Sequence, residues 1–203
     1  FDHKKKQPQE SHDEILEKLK ALEFPVLFLS SLKSVSFEAE KITGEYTKEV
    51  TRKIEQGDIT VQWITMALVV NGGRTAQHLL VFTRNSGSGH PCSIGYALGE
   101  NGRLMPIDRP AFCFFPTREV TNLNFILHAP FLLTDSREGI KAGEKHNQEL
   151  LQQLAQLAAD SLSILRDEKL IDDGLIEIIP YDQSKFSGLD GRAKISFKPF
   201  FAA

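Results

Sequence analysis

Two hydrophobic periods run along this chain. Near the start, Ser11 and Glu14 stand at the S-x-x-E spacing of a capping box, and Ile15, Leu16, Leu19 and Leu22 form the apolar stripe of a helix that Pro25 closes. The period then shortens to two. Val35 and Phe37 alternate with polar neighbours as in a half-buried strand, after the apolar run Val26 to Leu29. Glu45 to Gln56 mixes charged and β-branched residues as an exposed strand does, Gly57-Asp58 makes a turn, and Ile59 to Val70 is the strongest strand signal in the chain. Asn71-Gly72-Gly73 ends it, and Leu79 to Thr83, Ser93 to Leu98 and Ala111 to Phe115 follow as further apolar runs. They predict a mainly antiparallel or mixed sheet of about five or six strands.

The last third returns to helical spacing. Asn122 to Phe131 is apolar, but Pro130 prevents it from being a paired central strand throughout. From His146 to Arg166, Leu150, Leu151, Leu154, Leu157, Ala158, Leu162 and Leu165 recur every three or four residues, predicting a long amphipathic helix across the sheet. Asp172-Asp173-Gly174 then ends the helical region, Leu175 to Ile179 reads as a final strand, and the tail has turn chemistry at Gly188 and Gly191. The fold class is therefore α+β. Its parts are an N-terminal arm and helix over 1–22, an α/β domain over 23–180, and an extension over 181–203.

Composition narrows the function. The 203 residues are 41% hydrophobic and 25% charged, an ordinary globular balance that excludes a disordered or fibrous chain. Lys and Arg number 24 against 27 acidic residues, so the net charge of −3 indicates no nucleic acid or anionic membrane as partner. The basic run Lys4-Lys5-Lys6 reads as a solvated arm. No apolar stretch is long enough to span a bilayer, and the polar first ten residues are no signal peptide. Two cysteines, Cys92 and Cys113, without a CxxC fit a reducing cytoplasm. A first residue of Phe instead of Met makes the chain read as a piece of something longer.

Several chemistries fail on spacing. The loop Asn85 to His90 has glycines but lacks the P-loop lysine and the dinucleotide-binding pattern, so it reads as a flexible connector. Ser88 sits between glycines without the strand a nucleophile elbow requires. His90, Cys92, Cys113 and His128 are ligand types for zinc or a Cys–His nucleophile pair, but the paired close spacings of a zinc site are absent, and both cysteines lie within or near apolar strand segments, so they read as buried and structural. Asp172 and Asp173 read as a solvated turn, and Phe112, Phe114 and Phe115 as core.

The most informative segment is Thr134-Asp135-Ser136-Arg137, between an apolar strand and the long helix. Two roles are open to Arg137. A guanidinium held at such a junction can offer a bidentate fork to a phosphate, or it can pair with Asp135 or Glu138 as a surface residue.

The blocks Ala111-Phe-Cys-Phe-Phe-Pro-Thr117, Leu123-Asn-Phe-Ile-Leu-His-Ala-Pro-Phe131, Asp135-Ser-Arg137 and Asn147-Gln-Glu-Leu-Leu151 resemble the sacsin and No Vein type of GHKL ATPases, relatives of the ninety-kilodalton heat-shock chaperones. Pro25 to Val35 resembles the family's junction between nucleotide domain and following domain. The nucleotide-binding motifs are not in this chain: Glu144 and Asn147 have the wrong spacing, and Asp173-Gly174 is followed by Leu175 and Ile176. The resemblance thus implies a middle, transducer-like domain over 23–180, without ATPase activity of its own. ATP and magnesium are implied for the parent protein only, with an upstream GHKL nucleotide-binding domain and a protein client as partners. It further implies that Arg137 reaches the nucleotide's terminal phosphate, with Lys141 as a second cation on the same helical face should the helix begin early. The alternatives are a stand-alone interaction module, using the sheet face or Phe-rich end, and a hydrolase using Cys113 or His128.

Overall fold

The computed structural model describes residues 8–39, 42–85, 91–180 and 195–202. The basic arm before Pro8, the loop over 86–90 and most of the extension, 181–194, lie outside the described residues.

Helix α1 (Pro8–Lys20) leads into strands β1 (Ser34–Ala39), β2 (Ile42–Gln56), β3 (Ile59–Val70), β4 (Gly73–Asn85) and β5 (Pro91–Leu98). Short strands β6 (Leu104–Met105), β7 (Phe112–Cys113), β8 (Phe115–Pro116) and β9 (Ile126–His128) follow, then helices α2 (Lys145–Asp167), α3 (Asp173–Ile178) and α4 (Pro199–Ala202). The fold is α+β, as expected: β1 to β5 and β9 form a six-strand antiparallel sheet in the order β1-β2-β3-β4-β5-β9, with α2 packed on it. Among the described strands, only the β7–β9 pairing at Phe112 and His128 is parallel.

Both faces of the sheet are covered. Along β4, Leu80 and Phe82 point into a core shared with Leu150, Leu154, Leu157 and Leu165 of α2, whereas Leu79 and Val81 join a second core with Phe24, Val26 and Leu27. A strand buried on both sides has no polar face to alternate with, which explains the unbroken apolar run of the sequence. Lys48 secures the second layer by donating from Nζ to the carbonyls of Leu27 and Leu29 at 3.2 and 2.7 Å, and Tyr46 donates to the carbonyls ending α1.

β1 covers only part of β2. Its six residues pair with Ile42 to Thr47, so among the described residues Glu49 to Gln56 has no strand on its outer side, and a register shift between Val50 and Arg52 bends that stretch.

Three expectations need correction. The first helix begins at Pro8, so Ser11 and Glu14 lie inside it and do not cap its start; Glu14 instead pairs with Lys18 at 2.9 Å. Leu175 to Ile179 is not a strand. Asp172 accepts from the Gly174 amide at 2.9 Å and caps α3, and a Cβ at Gly174 would come within 2.1 Å of the Leu104 carbonyl oxygen. Finally, Ala111 to Phe115 is split in two at Phe114, whose φ of +65° turns the chain back. Phe112 is fully buried there, but Phe114 and Phe115 are exposed and do not join the core.

Candidate functional site: the Arg137 hairpin

After β9 the chain forms a small hairpin before α2. Leu133 and Ile140 form its bridge, the Lys141 amide donates to the Leu132 carbonyl at 2.9 Å, and the Thr134 amide donates to the Gly139 carbonyl at 2.8 Å. At the tip, the Arg137 amide donates to the Thr134 carbonyl at 2.8 Å, closing a four-residue turn. Side chains tighten it: Thr134 Oγ1 lies 3.2 Å from Ser136 Oγ and accepts from the Gly139 amide.

Arg137 sits at φ +59°, in the left-handed region that non-glycine residues rarely occupy. Its side chain is exposed. The pairing with Asp135 or Glu138 that the sequence left open is not made, because other cations take those carboxylates. Arg118 lies 2.9 Å from Glu138, while Lys141 Nζ lies 3.7 Å from Asp135. Among the described residues Arg137 has no ion-pair partner. A second link holds the hairpin from outside, as the Arg118 amide donates to the Glu138 carbonyl at 2.6 Å.

Lys141 is not on a helical face. α2 begins at Lys145, so Lys141 lies on the returning leg of the hairpin, held apart from the helix by Gly143 at φ +83°. Both cations of the expected pair nevertheless belong to one ten-residue hairpin unit, with Lys141 alone of the two near Asp135. Asn147, in the first turn of α2, anchors that unit. Fully buried, it accepts from the Leu132 amide at 2.8 Å and donates to the carbonyls of Leu132 and Lys141, both at 2.9 Å. Sequence reasoning assigned Asn147 no such role. Its signal was position: it lies three and four residues before Leu150 and Leu151, on the apolar stripe itself.

The other candidates among the described residues, Cys92, Cys113 and His128, are packed into the fold. Cys92 is buried, with its Sγ 3.8 Å from Gln153 Oε1 and its pKa pushed up by burial to about 11, so it is no thiolate nucleophile at neutral pH. Cys113 donates to the Phe131 carbonyl at 3.4 Å, and burial raises its pKa as well. His128 stacks on Phe28 at 4.3 Å and meets the edge of Phe114 at 5.1 Å, and burial lowers its pKa to about 4. Its Nδ1 faces the backbone of Phe112 and Phe114, not a thiol. His90 and Ser88 lie outside the described residues. Among the described residues no three His, Cys, Asp or Glu side chains gather to hold a metal. No described helix is long and apolar enough to cross a membrane.

What the hairpin can do chemically follows from charge. It presents one planar cation without a partner and one ammonium already engaged, on a turn whose carboxylates are occupied. Such a surface suits an oxyanion better than a proton-transfer or nucleophilic step. No protein family, curated protein or solved structure matches this chain.

Proposed function

We propose that this chain is the non-catalytic middle domain of a sacsin and No Vein type GHKL ATPase, coupling the ATP state of an upstream nucleotide-binding domain to conformational change or client binding. The observation that supports it is the guanidinium of Arg137, exposed on a braced left-handed turn with both flanking carboxylates paired elsewhere. A backbone held in a sparsely populated conformation is retained where the surrounding structure over-determines it, often for function.

ATP and magnesium are held by the upstream domain in this reading, and they supply the terminal phosphate. Arg137 contributes a planar fork to the phosphate oxygens and nothing else. Lys141 is the weaker second cation, because Asp135 already engages it. Contact forms only while the phosphate is present, so the closed arrangement of the two domains gains stability in the ATP state alone. The two free cysteines are in keeping with a cytoplasmic setting.

The test is ATP turnover and domain closure in the full-length protein. Arg137→Ala is expected to lower kcat by about a hundredfold, with Arg137→Lys intermediate because an ammonium cannot reproduce the fork. Unchanged turnover together with unchanged closure sinks the proposal.

A second reading, a stand-alone interaction module, draws on one observation. An apolar groove of about 210 Å³ runs between α2, α3 and the Phe-rich end, lined by Leu162, Ile178, Ile179 and Phe200, of which Leu162 and Ile179 are exposed. Partner capture that is abolished by Ile179→Glu and indifferent to Arg137→Ala would favour it.

A further inference from the structure

We infer that Asn147 is a positioning residue for Arg137, holding the hairpin at a set angle to α2; the functional part of this inference rests on the reading of Arg137 proposed above. Asparagine is a poor choice for a helix interior, since its amide competes with the backbone. Here the amide serves a different purpose. With Leu132 it exchanges both an N–H···O and an O···H–N bond, the pattern a neighbouring strand would make, and its remaining N–H reaches the Lys141 carbonyl on the opposite leg. One side chain thus acts as an extra strand residue and grips both legs of the hairpin.

The grip is stiff because α2 is. Beyond Asn147 the helix buries Leu150, Leu151, Leu154 and Leu157 against the sheet, so its first turn cannot tilt without disturbing the core. The hairpin tip has no comparable burial: Asp135 to Glu138 are all exposed. Its orientation is therefore set by its base, where Asn147 acts, and by the Arg118–Glu138 link at its side. Asn147 is fully buried and makes three bonds at the base, whereas the side link is one backbone hydrogen bond, from the Arg118 amide to the Glu138 carbonyl, and a solvent-exposed, correspondingly weak ion pair. A displacement of about 1 Å at a guanidinium that must meet a phosphate is enough to cost tenfold or more in rate.

The experiment compares the full-length protein with its Asn147→Leu, Arg137→Ala and doubly substituted forms. Asn147→Leu should lower kcat by about tenfold, leave KM for ATP within about twofold, and add no further loss once Arg137 is already alanine. Independent, multiplying losses in the double variant would overturn a role through Arg137. Hydrogen exchange gives a second arm that needs no ATPase activity. In Asn147→Leu the Leu132 amide should exchange at least about tenfold faster while amides of β3 and β4 keep their protection, and unchanged Leu132 exchange overturns the grip itself. Should Asn147→Leu not fold, Asn147→Ala serves both arms, since it removes the acceptor and both donors without adding apolar bulk. Wild-type turnover together with wild-type closure in Arg137→Ala would refute the proposed function, and exchange at Leu132 then decides whether Asn147 holds the hairpin.

Discussion

The two ends of α2 treat arginine in opposite ways. Toward the C-terminal end, Arg84 lies between Asp160 of the helix at 2.6 Å and Asp58 of the β2–β3 turn at 2.7 Å, with its side chain only 18% exposed. Arg52 makes a two-pronged bond to Glu168 at 2.6 and 3.2 Å and lies over the Trp63 ring at 4.3 Å. At the N-terminal end, Arg137 stands on a strained turn, and the carboxylates beside it are paired with other residues. An arginine between two carboxylates has its charge committed to the fold. One that is exposed, with the carboxylates beside it near other cations, leaves its charge to solvent, which is why net charge or arginine count says little about where a free cation stands.

The comparison can be broken by measurement. Leu154→Ala should have the largest effect, about 3 kcal/mol lost in urea unfolding, because a fully buried side chain is removed from between helix and sheet and both ends loosen together. Arg84→Ala should cost about 1–2 kcal/mol, as two partly exposed carboxylates lose their shared cation. The same substitution has a pH signature. The bond from Arg84 holds the Asp160 carboxyl below its ordinary pKa, so the stabilisation is complete above the unfolded value and is lost as pH falls through the lower folded value. In acid titration the gap between wild type and Arg84→Ala should therefore narrow below about pH 3.8. Arg52→Ala, at a more exposed pair, should cost less than about 1 kcal/mol. Arg137→Ala should change stability by no more than about 0.5 kcal/mol. A loss in Arg137→Ala as large as that in Arg84→Ala would make the hairpin arginine part of the scaffold and reverse the contrast.

Periodicity carried the sheet and the long helix because both are governed by burial, which leaves a regular mark on residue order. The errors fell where local chemistry overrides it. Leu175 to Ile179 has strand-like composition, but the Asp172 cap and the close approach of Gly174 to Leu104 make it helical. Phe114 sits in a left-handed turn that its residue type does not announce. At the site, Arg137 could be singled out by its place before the helix, whereas its freedom could not, since that depends on Arg118, nineteen residues earlier, engaging Glu138. Asn147 was visible as an interruption of an apolar stripe, but its meaning lay in the hairpin it grips.

The uncovered stretch of β2 has a consequence for how the molecule tolerates crowding. Bare strand edges invite copies of a chain to join their sheets, the first step toward fibrils. From Glu49 to Gln56 this edge carries Glu49, Arg52, Lys53 and Glu55, all exposed, on a strand that is already bent. A second copy docking there must bury those charges and match the bend, so this edge blocks sheet-to-sheet growth where β1 leaves the strand uncovered.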